Sequence, residues 1–149
     1  NEFKNVARIN NYSIARHKEY IGEKTDIWFN GANQGLKKRK IVDEKIIVFI
    51  PLLIHLNKKH RLDKIPKKLG VSSDKYSLIS KEEMSYYEEL TGIKRPTTGL
   101  SSILWSIKNY DKVVIHGFDF FEKSKGHYFD NKIKTFLINH DIIKGAGRL

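Results

Sequence analysis

Two histidines in polar stretches, His127 and His140, carry the side chain whose ordinary pKa near 6.5 suits a general base or a phosphate contact at neutral pH. A pair of surface histidines is the commoner meaning of such a pattern. They belong to a group of residues that runs Gly117-Phe-Asp-Phe-Phe121, Gly126-His-Tyr-Phe-Asp130 and His140-Asp141. Arg95-Pro-Thr-Thr-Gly99 offers a second chemistry. Pro96 fixes φ ahead of a turn, Thr97 and Thr98 can cap free amides, and Gly99 lets a ligand approach the backbone. Together they aim N–H groups and a positive dipole at one point, where a phosphate or carboxylate can bind. Taken alone, the segment is first of all a helix cap. Asn10 and Asn11, which close Val6-Ala-Arg-Ile-Asn-Asn11, suit a ribose or phosphate, or equally an Asn-rich turn.

These residues need elements to hold them. Short apolar runs bounded by polar turns predict strands at Phe3–Ile9, Asp26–Phe29, Lys45–Ile50, Tyr76–Ile79 and, most clearly, Lys112–His116. A helix is predicted over Lys81–Leu90, with Ser80 as cap and Glu82 and Glu83 at the positive end of its dipole. The strongest helix runs from Thr98 to Asn109, where Leu100, Ile103, Leu104 and Ile107 share one apolar face. Strands alternating with helices predict an α/β domain with a mainly parallel sheet, a single Rossmann-like unit over residues 1–149. In such sheets ligands sit beyond the carboxyl ends of the strands. The turn after the first strand, the start of the Thr98 helix and the loop after Lys112–His116 all qualify.

Composition narrows the class of partner. Of the 149 residues 40% are hydrophobic, which is enough for a globular core. The longest apolar run, Ile46–Ile54, is interrupted by Pro51 and falls short of the roughly 18 residues a membrane span needs. With no cysteine, disulfides and thiolate metal sites are excluded, and a reducing compartment fits. The net charge of +11 favours an anionic partner, with dense runs at Lys37-Lys-Arg-Lys40 and Lys58-Lys-His-Arg61 that are equally two solvated surfaces.

The order and wording of the motifs resemble the sialyltransferases. Asn5-Val-Ala-Arg-Ile-Asn10 and Gly22-Glu-Lys-Thr-Asp26 are similar to the end of the long motif of the eukaryotic-type family. Pro96-Thr-Thr-Gly99, Tyr110-Asp-Lys-Val113 and His116-Gly-Phe118 resemble its short motif, and His127-Tyr-Phe-Asp130 its third. Arg95-x-Thr-Thr-Gly99 and Gly117-x-Asp-Phe120 are also similar to the Campylobacter-type lipooligosaccharide sialyltransferases. Pro96–Phe121 is the specific part of a likeness that runs from Phe3 to Asp141.

The resemblance implies a variant Rossmann-like transferase (a GT-A-like fold) and an inverting, metal-independent reaction that needs no cofactor besides its CMP-sugar donor. Asn10 would touch CMP, and Thr97, Thr98 and Gly99, beside Arg95, would hold the donor's carboxylate or phosphate. Gly117 and Tyr128 would join this substrate-binding set, His127 would contact the leaving phosphate, and His140 would be the base. It also implies a Gly/Asn-rich loop upstream of Asn1, so the chain is expected to be incomplete at its N-terminus. Tyr110 stands at the eukaryotic-type cysteine, Gly145 at an expected Glu, and His127 and His140 lie closer together than in the family pattern. The absent cysteine points to bacterial relatives, and the positive charge to an anionic, lipopolysaccharide-like acceptor. The charge adds a cytoplasmic location with peripheral contact at the inner face of a membrane.

Two rival readings remain at this level. A catalytically inactive transferase-like domain fits the missing loop. A nucleic-acid-binding domain would interleave basic and aromatic residues. Here Phe118, Phe120, Phe121, Tyr128 and Phe129 cluster where few lysines are, the Lys37–Lys40 run contains no aromatic residue, and nucleic acid is not the expected partner.

Overall fold

The computed structural model describes residues 4–12 and 24–115. Among them, β1 (Ala7–Ile9), β2 (Ile27–Asn30), β3 (Lys45–Val48) and β4 (Tyr76–Leu78) form a parallel sheet in that order. Trp28 lies between Arg8 and Ile46 in the register, and Val48 lies opposite Leu78. Parallel sheets are covered on both faces, so their strands are continuously apolar rather than alternating. Ile27-Trp-Phe and Ile46-Ile-Val-Phe-Ile50 follow that rule, and every one of these residues is buried. Trp28, Ile46, Val48 and Ile50 belong to one cluster. The alternate residues Ile27, Phe29, Ile47 and Phe49 fall on the opposite face, where the two phenylalanine rings are 5.7 Å apart.

The connections between strands cover the first of these faces. After β3 come α1 (Leu52–Asn57), a 3-10 turn (Lys59–Lys64) and α2 (Ile65–Leu69). Ile54, Ile65 and Leu69 pack on Trp28, Ile46 and Val48, and so do Leu36 and Ile41 from the stretch between β2 and β3. The connections from β2 to β3 and from β3 to β4 thus both pack on this face. Pro66 sits in the first turn of α2, where its missing N–H costs no hydrogen bond, and Gly70 ends the helix at φ 74°. Lys68 donates to the Ala32 carbonyl at 3.2 Å and ties α2 to the end of β2.

Two longer helices follow, α3 (Lys81–Thr91) and α4 (Thr98–Asn109). The described residues form two compact units that part between Met84 and Ser85, inside α3. The first holds the sheet, α1 and α2. The second holds the rest of α3 and α4, with Tyr87, Ile93, Leu100, Ile103, Leu104 and Trp105 buried. Ser80 accepts a hydrogen bond from the Glu83 amide at 3.1 Å, the cap expected from the sequence.

Two expectations need correction. Residues 112–115, the described part of the clearest predicted strand, join no ladder among the described residues, and Val114 is 56% exposed. A β-branched run favours extended backbone wherever it lies, but a strand also needs a partner, which propensity does not supply. Ile107 is 40% exposed rather than part of the buried face of α4. Burial concentrates instead on the first two turns, Leu100 to Trp105, and takes in Ser101 and Ser102. Ser102 turns its hydroxyl back to the Gly99 carbonyl at 2.6 Å, whereas the buried Ser101 hydroxyl has no partner among the described residues.

Candidate functional site

β1 and β2 end side by side, and each ends in an asparagine. The Asn10 amide donates to the Phe29 carbonyl at 2.8 Å, which carries the ladder one residue past β1. Asn10 then takes a left-handed backbone, φ 53°, which asparagine tolerates better than most residues. Its carbonyl accepts from the Trp28 indole at 2.9 Å, so the turn is pinned from two sides. Its side-chain Oδ1 is buried and has no hydrogen-bond partner among the described residues.

Asn11 has a different fate. Its amide donates to the Gly35 carbonyl at 3.0 Å and its oxygen accepts from the Lys37 amide at 2.8 Å. The two asparagines are equivalent candidates in the sequence. In the fold, Asn11 is consumed in holding the loop after β2, and the Asn10 Oδ1 is left without a partner among the described residues.

Asn30 was not singled out by sequence reasoning. It is fully buried at the end of β2, and its Oδ1 accepts from the Ala32 amide at 2.9 Å while its Nδ2 lacks a partner. A polar residue that ends an Ile-Trp-Phe strand, as Asn10 ends the one before it, is the signal that would have found it. Ala32 follows at φ 46°, a strained value for alanine. Asn10 and Asn30 thus place two buried side-chain atoms without partners among the described residues at adjacent strand ends; His55 Nε2 and Ser101 Oγ are in the same state elsewhere.

In the other unit, the start of α4 follows the sequence reading closely. Thr97 is the N-cap, and its hydroxyl accepts from the Leu100 amide at 3.1 Å. Its carbonyl accepts from the Ser101 amide at 2.9 Å. Thr98 and Gly99, both half-buried, keep their amides unpartnered among the described residues. Pro96 is buried, while Arg95 is exposed and held at φ 54°. A left-handed conformation costs a non-glycine residue about 1–2 kcal/mol. Among the described residues, two of the three non-glycine residues with positive φ, Asn10 and Arg95, are ones that the sequence singles out for ligand contact.

The family model for glycosyltransferase family 29 (sialyltransferase) matches residues 1–144. The chain belongs to this family. No curated protein and no solved structure matches it.

As a sialyltransferase-type glycosyltransferase, the chain has an α/β architecture that puts Asn10 and Asn30 at the carboxyl edge of its sheet, where ligands of such folds bind. The other expected site residues, Gly117, His127, Tyr128 and His140, lie outside the described residues, as do His17, His116 and the segments 117–121 and 126–130. Tyr110 closes α4 and meets the Trp105 ring edge-on at 6.0 Å.

Asp26, from the stretch that resembles the long motif, has a structural task in this sialyltransferase. Its carboxylate accepts from the Val6 amide at 2.7 Å and pairs with Lys24 at 3.2 Å, which holds the entrances of β1 and β2 together. A hollow of about 770 Å³ lies by the entrances of β2 and β3, between Tyr12, Lys24–Asp26, residues 37–40 and residues 42–44. The Arg39 guanidinium stacks 3.5 Å from the centre of the Tyr12 ring there, so one cation of the first basic run is engaged. This hollow includes none of Asn10, Asn30, Thr97 or Gly99. Among the described histidines, burial lowers the pKa of His55 in α1, against the pull of Glu82.

Proposed function

We propose that the chain moves a sialic-acid-like sugar from a CMP donor to a glycan or glycolipid acceptor, with inversion, a histidine base and no metal. The observation that supports this reading best is Asn10, from the stretch that resembles the family's long motif, whose buried Oδ1 at the carboxyl edge of the sheet has no partner among the described residues. An unpaired acceptor there suits the hydroxyl or amino donors of a cytidine.

The chemistry follows from the bonds exchanged. An acceptor hydroxyl attacks the anomeric carbon from the face opposite CMP, and His140 takes its proton. The bond from that carbon to the phosphate oxygen breaks, and CMP leaves with the bonding pair. Charge grows on the phosphate in this step. The free amides of Thr98 and Gly99, the Thr97 and Thr98 hydroxyls, Arg95 and His127 are the donors proposed to stabilise it, with Gly117 and Tyr128 completing the substrate contacts. Such donors act best when fixed in advance, and the bond from the Leu100 amide to the Thr97 hydroxyl caps the turn that carries two of the amides.

Gly99→Val tests the donor site. Valine is no worse than glycine inside a helix, so α4 should persist. Its branched side chain would stand where the phosphate must approach the amide, and CMP affinity measured by calorimetry should fall at least tenfold, about 1.4 kcal/mol. Unchanged affinity in the folded variant would remove Gly99 and its neighbours from the donor site. Turnover in excess EDTA tests the leaving-group account. CMP departs as a stable anion, so the rate should be unaffected; a loss restored by Mg²⁺ or Mn²⁺ would favour a metal-clamping transferase.

A further inference from the structure

We infer that α1 and the 3-10 turn after it dock the protein on an anionic lipid bilayer. Leu53 and Leu56 stand three residues apart on α1 and are 48% and 59% exposed, while Ile54 of the same helix is buried in the core. The helix runs directly into Lys58, Lys59, His60 and Arg61, all exposed, and Lys64 and Lys67 follow, also exposed. Asp63 is the only acidic residue between 52 and 69.

The charge selects the occupant. Tyr86 and Leu90, which are also exposed and share a helix, lie on α3 among Glu82, Glu83, Glu88 and Glu89, where an anionic surface would be repelled. Leu53 and Leu56 are the exposed pair bordered by cations. A short apolar face flanked by lysines enters the headgroup boundary of a bilayer, the leucines meeting acyl chains and the cations meeting anionic headgroups. A nucleic acid would use the cations alone and leave two leucines in water. Asn10, Thr97 and Gly99 take no part in this surface, so its test is independent of the transferase reading.

Co-sedimentation with vesicles tests it, using phosphatidylcholine alone and phosphatidylcholine with roughly one-third phosphatidylglycerol. The protein should bind the anionic vesicles at least tenfold more tightly, and less so at high salt. Leu53→Asp with Leu56→Asp should lower that affinity at least tenfold, as should Lys58→Glu with Lys59→Glu, and both variants should bind CMP like the parent. Equal binding to both kinds of vesicle overturns the inference. So does full binding by the leucine variant, which would make the surface a general polyanion site that duplex DNA should also occupy. A dimer that the leucine substitutions dissociate, seen by light scattering, overturns it in favour of contact between copies.

Discussion

Replacing His140 with alanine is expected to lower turnover by roughly two to four orders of magnitude while leaving CMP affinity nearly intact, the usual contribution of a general base. The acidic limb of the pH–rate profile should vanish with it, because that limb reports protonation of the base near the ordinary histidine pKa. His127→Ala should fail differently. As a phosphate contact it would remove about 2–4 kcal/mol of leaving-group stabilisation and keep the acidic limb. Rates for both variants across pH 5 to 9 separate these roles. If the limb survives in His140→Ala and disappears in His127→Ala, the assignments are reversed. If neither substitution changes the rate, the base lies elsewhere, with His17 and His116 next to be tested.

Trp28→Ala is expected to cost about 3–5 kcal/mol of stability, measured by urea unfolding, as other fully buried large-to-small changes do. Trp28 is 0% exposed, lies in the middle of β2 and contacts a cluster drawn from both connections on that face. A loss under about 1 kcal/mol would mean that this face is not the core described above. The more informative variant is Trp28→Phe. It keeps most of the buried apolar surface but removes the indole N–H that holds the Asn10 carbonyl at 2.9 Å. Stability should then fall by about 1–3 kcal/mol, and CMP affinity should fall with it because the left-handed turn at Asn10 is released. A Trp28→Phe protein that is destabilised yet binds CMP like the parent would separate Asn10 from the donor site.

What could be read from the chain alone was whatever is decided within a few residues. β1 to β4 fall within the predicted strands to within a residue or two, apart from the start of β1 and the end of β3, because buried parallel strands need an unbroken apolar run. Ser80 and Thr97 cap the helices they precede, because a cap reaches only two or three residues along the chain. The motif around Pro96–Gly99 was likewise legible, since turn chemistry and a helix start are written in adjacent residues. Tertiary structure decided the rest. It distinguished Asn10 from Asn11, which are chemically identical, by giving Asn11 the Gly35 and Lys37 backbone and Asn10 only the Trp28 indole and the Phe29 carbonyl. It brought Asn30 to the same edge as Asn10 through a strand register that no local pattern encodes. It left residues 112–115 without a ladder among the described residues although they read as the clearest strand in the sequence. A hydrogen-bond partner distant in sequence is chosen by the packing of the whole unit, and an isolated segment cannot carry that choice.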